Sequence, residues 1–262
     1  MTDLVLRDAR DGFVRLTLND PATRNSLSEG MMAALATALD DARSDAGVRA
    51  IVIAAHGPAF SAGHNLKEIT ANRAGADSGR AYFARLMAQC AALMVAIVRH
   101  PKPVIAEVQG IASAAGCQLV ASCDLAVASE SAGFCTPGVN IGLFCSTPMV
   151  ALSRNVSRKH AMEMLLTGDV IPAGEALRMG LINQVASPNA LSETVDALAK
   201  KIASKSRVAI KIGKEAFYQQ LEMPLAEAYA YTAGVMTENL LAGDAKEGIG
   251  AFMGKRAPQW GA

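Results

Sequence analysis

The chain has 262 residues, enough for one large domain or a core with a smaller appendage. Hydrophobic residues make up 51% and aromatics only 5%, so the core must be packed from Ala, Leu, Ile, Val and 12 Met. Lys and Arg number 25 against 24 Asp and Glu, a net charge of +1 that argues against a broad nucleic-acid surface but not against one local basic patch.

Met1–Asp3 runs straight into an alternating pattern, so no signal or transit peptide is expected. Leu4–Ala9 and Phe13–Leu18 alternate around Asp11-Gly12 and read as a hairpin. After a polar loop, Ser28 caps a helix to about Arg43 with Leu35 and Leu39 on one face. Ala50–Ala54 is a continuous apolar strand buried on both faces. Residues 56–65 form a loop rich in Gly, Ser and His, and a long helix runs from about Arg80 to Arg99. Its apolar stretch, Met87–Val98, is about twelve residues, too short for a membrane span.

Val104–Val108 is a second buried strand, residues 110–115 a loop of small residues and Gly116–Ser122 a helix. Leu125–Ala128 reads as a strand and Phe134–Thr147 as an irregular loop. From Pro148 the pattern is mostly helical, with a short strand at Ile182–Val185. The first two-thirds is thus α/β with parallel strands, and the last third is a helical appendage.

The five cysteines, an odd number without a secretory start, indicate reduced thiols and a cytoplasmic protein. No CxxC pair or Cys/His cluster has zinc spacing, so no metal is expected. Neither GxGxxG after the first strand nor GxxxxGK[ST] is present, and no basic-aromatic stripe suggests nucleic acid.

Two segments share one design. Phe60-Ser61-Ala62-Gly63-His64-Asn65-Leu66-Lys67 and Gly110-Ile111-Ala112-Ser113-Ala114-Ala115-Gly116 each follow a buried strand and lead towards a helix. Ligands in α/β sheets sit at the carboxyl ends of strands, where free backbone N–H groups face anionic oxygens. Two converging N–H groups would form an oxyanion hole. The competing reading is a pair of tight turns selected for packing.

FSAGHNLKEI, KPVIAEVQGIASAAGCQLVASCDLAVAS and EGIGAFMGKRAPQW, with RNSLS and LTGDVIPAGEALRMGLINQV, resemble the crotonase (enoyl-CoA hydratase/isomerase) superfamily over nearly the whole chain. FCTPGVNIGLFCSTP resembles one subgroup of it. The resemblance implies an α/β fold: the ClpP-like crotonase spiral of ββα repeats, with a helical C-terminal trimerisation region. It divides the chain into an acyl-CoA-binding core, 1–195, and a helical region, 196–262. It implies a homotrimer or hexamer that binds acyl-CoA thioesters, with coenzyme A as part of the substrate and no other cofactor. The thioester oxygen would be held by the backbone N–H groups of His64 and Ala115. Arg24, Ser26, Leu27, Ala62 and Lys67 match CoA-contacting positions, and Phe252 and Lys255 match a C-terminal helix that closes over CoA.

The departures concern the chemistry. Hydratases of this family carry one glutamate after the Gly-Cys pair and another twenty residues on. Those positions are Gln118 and Gly138. Each lost acid or base typically removes ~10²–10⁴-fold, so ordinary hydration should be severely weakened. His64 is a titratable candidate on the oxyanion loop, and Asn140 could orient a water. Cys135 and Cys145 flank the same loop but read mainly as buried hydrophobes. Ser113 lacks an evident His/Asp partner, Asp124 reads as a structural cap and Glu68 as a solvated helix residue. His56, His100 and His160 read as surface residues. The expectation is an acyl-CoA-binding protein of the hydratase/isomerase family. A non-catalytic acyl-CoA binder, or a divergent isomerase or thioester hydrolase, stand as alternatives.

Overall fold

A computed structural model describes residues 3–74 and 77–261, leaving the first two residues of the expected leaderless start outside. Strands β1 (Val5–Arg10) and β2 (Phe13–Leu18) pair antiparallel, Val5 opposite Leu18, as the alternation predicts. Asp11 and Gly12 both take positive φ, 50° and 82°, the backbone a two-residue hairpin turn requires. Helix α1 (Glu29–Ser44) starts where Ser28 accepts the Met31 N–H, and buries Met31, Met32, Leu35 and Leu39.

The next elements repeat a strand–strand–helix unit. The first unit comprises β3 (Ala50–Ala55), β4 (Ala59–Ser61), α2 (Leu66–Ala71) and α3 (Arg80–Val98). The second comprises β5 (Val104–Val108), β6 (Ile111–Ser113) and α4 (Ala115–Ser122). The third comprises β7 (Leu125–Ser129), β8 (Gly133–Cys135), a 3-10 turn at Pro137–Ile141 and α5 (Pro148–Asn155). There follow α6 (Arg158–Thr167), β9 (Ile171–Pro172), α7 (Ala173–Met179) and β10 (Gln184–Ala186). The chain ends with α8 (Leu191–Ala203), α9 (Arg207–Gln220), α10 (Leu225–Leu241) and α11 (Gly243–Met253).

The first strand of each unit joins a six-stranded sheet, β1-β2-β3-β5-β7-β10, and the second joins a four-stranded sheet, β4-β6-β8-β9. This is the spiral that the resemblance implies. The inner strands β3, β5 and β7 of the large sheet are buried on both faces, which explains their unbroken apolar runs, whereas the edge strand β1 is mostly exposed. Ile51 and Ile53 of β3 face the main core with α1 and α3, whereas Ala50 and Val52 face Val195 and Ala199 of α8. Helix α3, with mean hydropathy 1.7 in its most apolar window, is by length and composition able to cross a membrane, contrary to the sequence reading. Its Tyr82, Leu86, Cys90, Leu93, Met94 and Ile97 instead pack in the core.

Helix α8 is also held by charge. Arg15 on β2 pairs with Glu107 on β5 and, at 2.6 Å, with Asp196 on α8, while the Ser192 hydroxyl donates to Glu107 at 2.6 Å. The expected division at 195/196 therefore falls inside a helix that belongs to the core. Helix α9 docks through Asp124, at the head of β7. The Asp124 carboxylate accepts Lys214 Nζ at 2.7 Å, the Tyr218 hydroxyl at 2.9 Å and the Val104 N–H at 2.7 Å. Asp124 is thus the structural cap its sequence position indicates. The Lys214 side chain is only 7% exposed. Asp124→Ala strands that ammonium, and removing one partner of a buried pair costs ~3–5 kcal/mol. Denaturant unfolding of the variant should show a loss of that size.

Candidate active site

Strands β4 and β6 run parallel, Ser61 beside Ala112, so the segments that follow them leave the sheet side by side. Gly63 has φ +86°, and a Cβ there would lie 2.9 Å from the Ser113 carbonyl oxygen and 3.2 Å from the Ala115 nitrogen. A Cβ on Gly116 would lie 2.4 Å from the Ser61 carbonyl oxygen. Glycine at both positions lets the two backbones touch. Between them, Ala114 takes φ 50°, ψ −115°, a conformation L-residues rarely adopt, with its N–H donated to the Cys135 carbonyl at 2.9 Å. Such strain costs ~1–3 kcal/mol and marks a position the surroundings over-determine.

The strain places Ala115 as the first residue of α4, where a helix N–H lacks an internal acceptor. Neither the Ala115 N–H nor the His64 N–H has an acceptor among the described residues. The two donors that the sequence singles out therefore lie in adjoining loops, with Gly63 directly against the Ala115 nitrogen.

Residues 24–27 brace the first loop. The buried Asn25 side chain donates to the His56 and Ala59 carbonyls, at 2.8 and 2.9 Å. Ser61 Oγ donates to the Asn25 carbonyl at 2.8 Å. Ala62 N–H donates to the Arg24 carbonyl at 3.0 Å, and Leu27 N–H to the Gly63 carbonyl at 2.8 Å. Arg24, Ala62 and Lys67 are exposed at this rim. Ser26 is not: it is 4% exposed, and its hydroxyl turns to Thr23. The Leu27 side chain is wholly buried in the core, so it is not a side-chain contact for a ligand. What sequence reasoning missed is the bracing role of Asn25; an asparagine inside RNSLS, a residue type that tolerates the positive φ of 52° found there, was the available signal.

The His64 ring lies with Nδ1 3.2 Å from the Leu27 carbonyl oxygen, so Nδ1–H donates and Nε2 keeps its lone pair, buried and without a partner among the described residues. Burial lowers its pKa and keeps the ring neutral. Gln118 is buried on α4, its carboxamide oxygen 3.8 Å from the Cys90 thiol. Gly138 lies in the 3-10 turn, where a Cβ would meet Cys145 Sγ and the Leu143 carbonyl oxygen, each at 2.9 Å. The absent second side chain is therefore a space filled by Cys145.

Burial raises the Cys117, Cys135 and Cys145 thiols, which keeps them protonated and poor nucleophiles. Asn140 is exposed, its Nδ2 turned to Gly168. Glu68 is half-buried and accepts the Glu29 N–H. His100 is not a surface residue: it is fully buried, accepts the Lys102 N–H through Nδ1 at 3.1 Å and donates Nε2–H to the Leu39 carbonyl at 3.1 Å.

Phe252 and Lys255 are not brought to this site. Around α11, Asp244 accepts the Ser206 hydroxyl and Trp260 Nε1–H donates to the Ser204 carbonyl. Those residues follow α8 beside Gly12 and Arg49, at the amino ends of the parallel strands. The His64 and Ala115 loops leave the carboxyl ends. Phe252 is 86% exposed there.

The family model for enoyl-CoA hydratase/isomerase matches residues 8–262. The chain belongs to that family. It is 49% identical over 251 residues to human enoyl-CoA hydratase domain-containing protein 3, mitochondrial, spanning 95% of this chain and 81% of that protein. The rat protein of the same name is 48% identical, over 96% of this chain and 82% of its own length. The subgroup to which FCTPGVNIGLFCSTP points is theirs. A crystal structure of enoyl-CoA hydratase from Mycobacterium smegmatis superposes with a TM-score of 0.93 at 50% identity, covering 98% of each chain. The crystal structure of the human protein gives 0.93 at 46% identity, covering 98% of this chain and all of that one. The cytoplasmic placement expected from the cysteines does not stand, because these curated relatives are named mitochondrial.

The geometry of these loops and of the buried histidines gives two expected outcomes for this member of the enoyl-CoA hydratase/isomerase family. Gly63→Ala should destabilise by ~1–3 kcal/mol through strain and close contact. Gly142→Ala, at φ +78° with nothing within 4 Å, should cost less, and denaturant midpoints compare the two. The second concerns pH. Burial lowers the pKa of His64, and that of His100 to about 4, from 6.5. The unfolded chain then binds protons that the folded chain refuses, so stability is present above pH 6.5 and is lost as the pH falls below it. Melting temperatures should decline from pH 6.5 towards 4.5, while the His100 ring resonances stay those of a neutral imidazole above pH 5.

Proposed function

We propose that this chain binds an acyl-CoA thioester and holds its carbonyl oxygen between the His64 and Ala115 N–H groups. The observation that carries the reading is the pair of unsatisfied backbone donors in touching loops, one ordered by Gly63 and the other by the strained Ala114. Fixed donors aimed at an oxygen that gains charge stabilise an enolate-like state. Arg24 and Lys67, exposed beside Ala62, supply cations for the phosphates of CoA. Ser26 and Leu27 support that rim from inside rather than through side-chain contact.

The same site is poor in proton-transfer groups. Gln118 offers a carboxamide and Gly138 no side chain, with Cys145 in the adjoining space. The neutral, unpartnered Nε2 of His64 is the remaining acceptor on the oxyanion loop. The reading is a thioester-polarising protein with little hydration activity. A binder without chemistry is favoured by the filled space at Gly138.

Phe252 and Lys255 serve the site of a neighbouring copy, in a trimer or hexamer. The packing of α11 against the segment after α8 supports this, as does the apolar surface of α10 and α11, where Leu225 and Leu241 are each 76% exposed. Light scattering should return a mass of three or six chains; a monomer at all concentrations would contradict it.

CoA and acyl-CoAs should raise the melting temperature. Ligand at 100 times its dissociation constant stabilises by ~2.7 kcal/mol, and no shift with any acyl-CoA at millimolar concentration defeats the assignment. Crotonyl-CoA hydration should be negligible. A Cβ at position 138 meets both Cys145 and the Leu143 carbonyl, so Gln118→Glu/Gly138→Glu/Cys145→Ala, which relieves only the first contact and is checked for a native fold, is the variant to test for a gain. For any reaction that the natural chain catalyses, Ala115→Pro removes one donor at a helix start that accepts proline. The loss should be ~2.7–4 kcal/mol in the transition state, and an unchanged rate in a folded variant would refute the assigned donor.

A further inference from the structure

A concavity of about 460 Å³ lies between the end of α1, the Pro101–Lys102 turn before β5 and the start of α9. It opens at the amino ends of the large sheet, the pole opposite the His64 and Ala115 loops. Arg43, Arg49, Lys102, Arg207 and Lys211 line it, with Glu215 as the one carboxylate among the lining residues. In a chain of net charge +1 this is a concentrated positive field, the local basic patch that the overall composition leaves open.

The nearby carboxylates of Asp45 and Asp244 are each hydrogen-bonded outside the cavity and offset its charge only in part. Asp45 is bound by Arg7 at 2.5 Å and by the Gly47 N–H, and Asp244 by Ser206 and the Gly261 N–H. Asp40 reaches Arg43 only at 3.6 Å, with both side chains in solvent. Arg49 donates to the Ala203 carbonyl, and Lys102 Nζ to the carbonyls of Ala42 and Asp45, which are neutral acceptors, while Asp244 near Arg49 and Arg207 and Asp45 near Lys102 offset only part of the positive charge. The Lys102 pKa is lowered, first by burial and further by Arg207 and Arg43, although Asp45 opposes this. These like charges held together would gain from a shared anion.

The walls between the cations are apolar: Val48, Pro101, Val208 and Ile210. Guanidinium groups match phosphoryl oxygens in pairs. The volume lies in the range of small-molecule sites, ~300–1,000 Å³, well beyond one inorganic ion. We propose that this cavity binds a small organic phosphate, its phosphoryl group among Arg43, Arg49, Arg207 and Lys211 and its apolar body against Val48 and Ile210. The site is independent of the thioester reading, because no residue lining it belongs to the His64 and Ala115 loops or their rim.

Isothermal titration of the full chain with phenyl phosphate tests this, with inorganic phosphate and CoA as comparison ligands. Phenyl phosphate should bind one per chain, weaken with added salt and exceed inorganic phosphate at least tenfold. Arg207→Gln/Lys211→Gln changes two exposed side chains. With a natural melting profile, that variant should bind phenyl phosphate at least tenfold more weakly. Saturating CoA should leave phenyl phosphate binding unchanged. No binding to the natural chain, equal binding to the folded double variant or displacement by CoA would each overturn the proposal. Inorganic phosphate binding as tightly as phenyl phosphate would overturn it as well. If CoA fails to bind but phenyl phosphate binds as described, the thioester reading falls and the cavity stands.

Discussion

The site depends on the contact of two backbones with no side chain between them. Gly63 sits on Ala115 and Gly116 on Ser61, at separations that a Cβ would violate. Everything that positions the two donors follows from this contact: the parallel β4–β6 pairing brings the loops together, and the 24–27 segment locks one of them by hydrogen bonds. The strained Ala114 turns the other into the start of α4. The cost in backbone strain is met by the packed surroundings, in which Ala112, Ala115, Cys117 and Phe134 are all essentially buried.

The chemistry available at this contact is asymmetric. Backbone donors survive any side-chain change short of proline, so under the proposed reading the capacity to polarise a carbonyl would persist while the proton-transfer groups diverge. Gln118 keeps the shape of a glutamate and loses its charge. Gly138 permits Cys145 to approach, and a carboxylate cannot return there without moving that thiol. The proposed reading thus separates polarisation, carried by backbone geometry, from proton transfer, carried by two side chains.

The two poles of the parallel sheet have different tasks. The carboxyl ends carry the paired donors. The amino ends carry the docking of α9 on Asp124 and the basic cavity beside it. Because α9–α11 are fastened at the amino ends, Phe252 and Lys255 are held away from this chain's own donors. The exposed apolar faces of α10 and α11 belong to the same arrangement.

Much was legible in the sequence because it is local. The Asp11-Gly12 turn, the Ser28 cap, the buried strands β3, β5 and β7, and the small-residue loops after them all follow from periodicity and from residues with special backbone freedom. Family motifs placed His64, Ala115, Gln118 and Gly138. The three-residue strands β4, β6 and β8 were not legible as strands: they are too short to alternate and exist only because each pairs with the next in space. Tertiary structure alone decided that Leu27 is core rather than contact, that His100 is buried between Leu39 and Lys102, and that α8 belongs to the sheet. It also set Cys145 against Gly138, and Phe252 and Lys255 at the opposite pole. Those facts depend on residues far apart in the chain meeting across sheets and helices, and no local pattern records such a meeting.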